Sequence, residues 1–461
     1  MSATPATPRA HWMGLLARLH FYIGLFIGPF LFIAALTGTL YVLTPQIENW
    51  WYSDALTTTS VGEPQPIAAQ IEAAQKVVGS NASLFAVRPG LNPGSTSRVM
   101  YSEAGLGSSE SRAIFIDPVT LAVKGDMTVY GTSGVLPLRT TLDYLHRNLL
   151  LGDIGRNYSE LAASWMWIAA LAGIGLWLQQ RRKLAKAKGS KNEGLKRQRN
   201  HSLMGLWIAL GLLFFSATGL TWSKWAGDRI DSLRTELNWV TPSVSRNLQT
   251  SACNTPVAAH HDHNAMQIAN PVEPFSVAPD AFDGILTIAR KGGIDANLLE
   301  IRPPHKADQA WLVREVDRSW PTQVDTVAID GATGHITSRA DFATFPLIAK
   351  LIRWGIDAHM GVLFGLPNQL ILAAFGITMM LLIITGYRLW WKRRPPAGAP
   401  LKTLLESWLK LGYLGRALVL FIAGILGWCL PVMGVSLIGF ILIDIVRTLL
   451  ATADRREVQP G

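Results

Sequence analysis

Apolar positions along this chain fill long unbroken runs rather than recurring on one face. Four runs, 19–43, 161–178, 203–222 and 370–387, approach or exceed the roughly 20 residues that a helix needs to cross the hydrocarbon core of a bilayer. A fifth, 417–450, is broken by Pro431 and is expected to form a hairpin with both ends on one side, a single kinked span being the rival. Between the runs the pattern changes. Residues 67–78 and 279–291 have the spacing of amphipathic helices, and each is followed by short alternating segments with a turn at Asp117-Pro118 or Asp330-Gly331. The fold class expected is therefore an α-helical integral membrane protein with α+β domains outside the bilayer.

Charge orients the spans. The 461 residues carry a formal net charge of +10, with 49% hydrophobic and 16% charged residues. Nine Lys/Arg fall within 181–199 against the single acid Glu193; Lys392, Arg393 and Arg394 follow the fourth run, and Arg9 and Arg18 precede the first. The positive-inside bias makes these places cytoplasmic and the long segments after the first and third runs external. Basic clusters that flank spans in this way speak for topology and against nucleic-acid binding. Cys253 and Cys429 fall in different compartments, so no disulfide between them is expected. The first apolar run is too long for the core of a cleavable signal and has no small-residue cleavage site after it, so it is expected to stay as a span.

The second half of the chain repeats the first. "HFYIGLFIGPFLFIAALTG" from His20 and "HSLMGLWIALGLLFFSATG" from His201 share histidine, Gly24/Gly205, Thr37/Thr218 and Gly38/Gly219 at equal spacing. "LHRNLLLG" with His146 and "AHMGVLFG" with His359 share Gly152/Gly365, Gly173/Gly386 and the Leu-Trp pairs Leu176–Trp177 and Leu389–Trp390. Arg88 and Arg302, and Asp117 and Asp330, mark the external segments, the second of which has an insertion within 224–274. Two tandem copies of helix, external domain, histidine segment and helix give a four-span bundle with a pseudo-twofold axis along the membrane normal.

The repeat places His20 opposite His201 at the cytoplasmic level and His146 opposite His359 at the external level. Two facing imidazoles between helices suit a six-coordinate haem iron, which moves single electrons. Glycines four or six residues after each histidine would admit a flat macrocycle. A lone interfacial histidine usually hydrogen-bonds a headgroup or a helix end; four at matched spacing are harder to explain that way. A divalent-metal site is disfavoured because no acids or thiols accompany His20 and His201. From His20 to Tyr41 a helix rises about 30 Å, so two haems would stand near opposite faces of the bilayer. No Gly-rich strand-to-helix turn for a nicotinamide or flavin is present, so electrons must come from a partner or a membrane quinol.

Secondary candidates carry plainer alternatives. His260, His261 and His263, with Asp262, are a weak metal motif inside the insertion, more in keeping with a solvated loop. Arg139 and Arg147 flank His146 and are candidates for haem propionates. Arg88 and Arg302 would contact an acidic ligand or form structural ion pairs. Asp143 and Asp357 precede the external histidines and would orient them or cap helices. Trp50, Trp51, Trp165, Trp167, Trp390 and Trp391 suit an interfacial belt, with Trp165 and Trp167 also candidates for a haem edge.

The repeated His-x3-Gly…Thr-Gly spans, the "LHRNLLLG" segment and the paired Asp-x-x-Thr external segments resemble the PepSY-associated transmembrane proteins, iron-regulated inner-membrane proteins that include ferric-siderophore reductases. The resemblance covers roughly residues 10–395. It implies two b-type haems held, position by position, by His20, His201, His146 and His359, and reduction of a periplasmic Fe(III)-siderophore. A fused flavin-reductase domain of some relatives is missing here, which leaves a cytoplasmic reductase or membrane quinol as donor. The layout expected is cytoplasmic 1–18, span 19–43, periplasmic PepSY-like domain 44–145, histidine segment and span 146–180, basic loop 181–200, span 201–223, second PepSY-like domain 224–352, histidine segment and span 353–391, linker 392–415, membrane hairpin 416–450 and tail 451–461. The competing function is a membrane-anchored sensor or protease regulator without redox activity. A transporter is disfavoured, since the spans lack paired broken helices with midplane carboxylates.

Overall fold

A computed structural model of the chain describes residues 8–79, 82–107, 109–186, 191–248, 277–394 and 403–457. Cys253, His260, His261, Asp262 and His263 lie outside the described residues. Five described helices are long and apolar enough to cross a membrane: Pro8–Val42, Gly152–Lys186, Glu193–Leu220, Gly365–Arg393 and Pro431–Leu449. The protein is thus a mostly helical membrane protein that also carries an antiparallel sheet. Several helices outrun their apolar stretches because Lys, Arg, Glu and Gln favour helix as well as Leu does. The third starts at Glu193, inside the basic segment, where the Asn192 side chain accepts the Leu195 N–H at 3.1 Å as an N-cap.

The chain divides into two compact units, residues 1–40, 144–232 and 371–461, and residues 41–143 and 233–370. In the first unit the opening helix is not uniform. An α-helix over Pro8–Tyr22 passes into a π-helical segment, Ile23–Ile27, and resumes over Gly28–Val42. Gly28 N–H bonds the Ile23 carbonyl, five residues back. Pro29 has no N–H to give the Leu25 carbonyl, and the Tyr387 hydroxyl donates to that carbonyl instead at 2.6 Å. The π segment begins three residues after His20, and such bulges recur at functional sites.

The region after residue 403 forms two helices, Tyr413–Cys429 and Pro431–Glu457, separated by Leu430. They form a hairpin rather than one kinked span. Pro431 occupies the first helical position, where a missing N–H costs nothing. Gly427 and Gly434 let the backbones meet: a Cβ on Gly434 would stand 2.8 Å from the Gly427 Cα. Trp165 Nε1 donates to Ser436 Oγ at 2.8 Å, and its ring lies 5.4 Å from that of Phe440. Trp165 is therefore a buried anchor for the hairpin, 1% exposed, and not the interfacial residue its sequence neighbourhood suggests.

The second unit holds one eight-stranded antiparallel sheet where the sequence suggests two separate domains. Its strands are β1 Ser83–Arg88, β2 Ser97–Ser102, β3 Glu110–Ile116, β4 Val123–Tyr130, β5 Leu299–Arg302, β6 Trp311–Glu315, β7 Thr326–Ile329 and β8 Ile336–Ala340. The order β4-β3-β2-β1-β5-β6-β7-β8 joins the two sequence copies edge to edge. The seam pairs Val87 with Ile301, the residues that precede Arg88 and Arg302. An antiparallel pair of corresponding residues puts a local twofold between them. Helices Ile67–Val78 and Ala281–Lys291 cover one face, burying Ile71, Val87, Ile114, Phe282, Ile301 and Val327 in a single core. Asp283 of the second helix accepts the Ile67 and Ala68 N–H groups at 3.0 and 3.3 Å and so caps the first. The Asp-x-x-Thr pairs are turn chemistry: Asp117 Oδ1 accepts the Val119 and Thr120 N–H groups, and Asp330 Oδ1 accepts that of Ala332.

Strand period two places Arg88, Glu300 and Arg302 on the sheet face opposite Val87 and Ile301. Glu300 is 1% exposed and accepts from Arg88 Nε at 2.8 Å, Arg302 Nε at 2.7 Å and Arg314 Nε at 3.0 Å. Burial would raise its pKa, but Arg314, Arg302 and Arg88 outweigh burial and hold it well below the usual carboxylate range. Arg88 and Arg302 are thereby committed to a structural ion pair.

Candidate functional site

Within the first unit His20 and His201 come together. Their ring centroids are 6.4 Å apart and their planes are inclined at 77°. Each ring rests on a glycine of another helix. A Cβ on Gly173 would stand 3.4 Å from His20 Cε1, and one on Gly386 would stand 3.3 Å from His201 Cε1. The two glycines that the repeat shares are thus the seats of the cytoplasmic-level histidines. His20 Nδ1 lies 3.2 Å from the Ala169 carbonyl. A carbonyl only accepts, so this contact keeps the proton on Nδ1 and leaves the Nε2 lone pair for a ligand. The Leu382 carbonyl, 213 residues after that of Ala169 as Gly386 is after Gly173, interacts with His201 in turn. There the Nδ1 contact falls short of full hydrogen-bond geometry.

The pair borders a cavity of about 1280 Å³. Matching residues of the two copies line it: Gly24 and Gly205, Leu31 and Leu212, Met166 and Met379, Trp177 and Trp390. Its composition is graded. Leu31, Met166, Leu212 and Met379 make one end apolar. Arg18, Gln180, Gln198, Arg393 and Arg447 supply charge and amide groups to the lining, with the hydroxyls of Ser202 and Tyr387. Gln198 donates to Gln180 at 2.6 Å and accepts from Arg393 at 3.1 Å.

His146 ends the short helix Pro137–Asn148 in the same unit. Thr37 donates to the Ile33 carbonyl at 2.8 Å, which leaves its oxygen to accept from His146 Nδ1 at 3.0 Å. A Cβ on Gly38 would meet the His146 ring at 3.2 Å. Thr37 and Gly38 therefore seat the His146 ring. Thr218 repeats the same back-bond, to the Phe214 carbonyl at 2.8 Å. His359 ends the helix Leu347–His359 and belongs to the second unit. The glycines six residues after the external histidines serve the backbone: Gly152 and Gly365 both have φ +58 and start spans, with nothing within 4 Å of a Cβ.

Two other sequence candidates, Arg139 and Asp357, are engaged in ion pairs. Arg139 pairs with Glu48 at 3.2 Å and donates to Thr44 at 3.1 Å. Arg147 stacks over the Tyr144 ring at 5.5 Å. Asp357 accepts from Arg318 at 2.6 Å and from Arg353 at 3.1 Å, so it is an ion-pair anchor beside His359. Sequence reasoning missed Arg18 and Arg447 at the cavity and the π segment beside His20.

A haem fits this donor set. Two imidazoles that shared one metal through facing nitrogens would have their ring centres about 6 Å apart, and the rings here are 6.4 Å apart. Among the described residues no group of three or more His, Cys, Asp or Glu is placed to hold a bare metal ion. Two imidazoles alone do not fill a coordination sphere, whereas a porphyrin brings four further nitrogens, and the cavity beside the pair is lined by Gly24, Gly173, Gly205 and Gly386. A family model for the PepSY-associated TM region matches residues 17–393. No curated protein matches the chain.

Proposed function

The chain belongs to the PepSY-associated TM family, and on that premise we propose that it is a haem-binding inner-membrane reductase. In this reading two tandem copies form the bundle, the sheet unit is periplasmic, and the substrate is a ferric siderophore. The electron donor is a cytoplasmic reductase or a membrane quinol. The observation that supports it is the His20–His201 pair, spaced for one metal beside a glycine-walled cavity. Haem iron held by two imidazoles exchanges single electrons without opening a site for oxygen.

The protein's own residues have defined tasks. His20 and His201 would hold haem b through Nε2. The Ala169 carbonyl keeps the proton of His20 on Nδ1. Gly173 and Gly386 let both rings sit against helix backbone, where larger side chains would push them out of line. Leu31, Met166, Leu212 and Met379 keep the inner end dry. His146, oriented by Thr37, and His359 are the ligands that the repeat assigns to a second haem. Delivery of one electron to the chelated Fe(III) gives Fe(II), for which hard oxygen donors have weaker affinity, and the iron is released.

The test is a visible spectrum of the purified full-length protein. We expect reduced b-type bands, diminished in His20→Ala and in His201→Ala and separately diminished in His146→Ala and His359→Ala. Oxidation of those bands by a ferric siderophore would establish the substrate class. A colourless wild-type protein would defeat the proposal and leave the membrane-anchored regulator in its place.

A further inference from the structure

The cavity's apolar walls match between the two copies, but its guanidinium groups do not. Arg18, Arg393 and Arg447 line it. The counterpart of Arg18, 181 residues on, is Arg199, which is not in the lining, and the counterpart of Arg393, 213 residues back, is Gln180. Arg447 has no counterpart, since it comes from the C-terminal hairpin beyond the family-matched residues. A site whose walls repeat about a twofold offers a flat ligand two orientations, and charges that the twofold does not repeat remove that ambiguity.

Two of these arginines are uncommitted. Arg393 is bonded to Gln198 and the Gly194 carbonyl. Neither Arg18 nor Arg447 makes a hydrogen bond or an ion pair among the described residues. Arg18 lies over the Phe21 ring at 5.5 Å. The nearby acid Asp444 is fully buried and already engaged, accepting from the Tyr22 hydroxyl and from the Leu404 and Leu405 N–H groups, the latter two at 2.6 and 3.2 Å. That tether fixes the hairpin helix to the first span, and Arg447 stands one helical turn further along. Glu406, the other acid near Arg18, pairs with Lys410.

We propose that Arg18 and Arg447 are the carboxylate clamp of the His20/His201 site, holding the two propionates of the porphyrin and setting its orientation. This rests on the haem reading above. It assigns the C-terminal hairpin a binding role: it carries one jaw of the clamp, and the Asp444–Tyr22 tether positions it. Guanidinium groups suit this task because they stay charged and donate in pairs to a carboxylate.

The experiment compares haem b with its dimethyl ester, in which both carboxylates are masked. Haem-depleted full-length protein in detergent is titrated with each and read by the Soret band. Wild type should bind haem b at least about tenfold more tightly than the ester, the yield of one or more hydrogen bonds between charged groups. Arg18→Gln/Arg447→Gln should bind the two alike, near the wild-type affinity for the ester, and Arg447→Lys should keep part of the preference. Equal binding of both porphyrins by wild type would overturn the clamp, as would a double variant that retains the full preference. Wild type that develops no Soret band with either porphyrin would instead overturn the haem reading itself.

Discussion

The two compact units use their matched sequence segments in opposite ways. In the membrane unit the copies face each other across a cavity, and the residues that matter are alike: His20 and His201, each on a glycine, each near a carbonyl at the same offset. In the sheet unit the copies meet at Val87 and Ile301, and the polar centre beside that seam is lopsided. Glu300 gathers three arginines, while Ala86, its counterpart before the other Arg-Pro, is a fully buried apolar residue. A symmetric ligand such as a metal between two imidazoles rewards keeping both copies the same. A seam between two sheet halves needs only one anion to anchor the arginines of both.

Glu300 is the sharpest place to break that contrast. Its removal leaves Arg88, Arg302 and Arg314 packed without their anion, and loss of one member of a buried ion pair costs about 3–5 kcal/mol. We expect Glu300→Ala to speed hydrogen exchange in β1 and β5 sharply while the bands of the His20/His201 site stay in place. The effect carries a pH signature. The folded-state pKa of Glu300 is depressed, so its contribution is complete above the unfolded value of about 4.3 and fades as pH falls below it. The gap between wild type and Glu300→Gln should therefore be full at neutral pH and narrow below about pH 4.

The next test is on the symmetric side. A Cβ at Gly386 stands 3.3 Å from the His201 ring, a contact that an alanine meets by small adjustments and a leucine does not. Overpacking a filled site costs about 1–3 kcal/mol, here paid in imidazole alignment. Gly386→Leu should lose most haem absorbance per protein, Gly386→Ala should keep it, and Gly173→Leu should match Gly386→Leu because the seats are equivalent. Gly284→Leu, where a Cβ meets nothing within 4 Å, is the control and should leave the spectrum unchanged. Different losses at Gly173 and Gly386 would show that the two seats are not equivalent.

How much of this was legible in the sequence follows from the same physics. A bilayer forces long apolar runs into helices, so the spans could be read directly. Equal spacing of the shared histidines led to the expectation of two facing pairs, of which His20 and His201 stand 6.4 Å apart. The joining of the sheets was hidden, since the β1–β5 seam is made of backbone hydrogen bonds between segments more than 200 residues apart and leaves no side-chain pattern. Arg18 and Arg447 escaped notice because only the packing of the hairpin brings residue 447 to the cavity. Arg139 looked better placed along the chain, and Glu48 occupies it instead. Trp165 looked interfacial until a second helix covered it.

The smallest effect concerns a departure from symmetry inside the membrane unit. The first span has a π segment at Ile23–Ile27 and Pro29 just after it, whereas its counterpart in the third span, with Leu210 in place of Pro29, runs unbroken over Glu193–Leu220. Tyr387 compensates, donating to the Leu25 carbonyl while its ring packs 3.3 Å from the position of a Gly28 Cβ. The counterpart of Tyr387 is Ile174, which has nothing to donate and faces a helix that needs no donor. Tyr387→Phe keeps the ring and removes one hydrogen bond, a change of about 1 kcal/mol or about fivefold in a local opening equilibrium. Hydrogen exchange should accelerate by that factor at Phe26–Leu31 and stay unchanged at the matching residues 207–212. Acceleration on both spans would mean that Tyr387 stabilises the bundle as a whole. Acceleration on the first alone would mean that the protein tolerates a weakened backbone beside His20 because a side chain from the other copy repairs it.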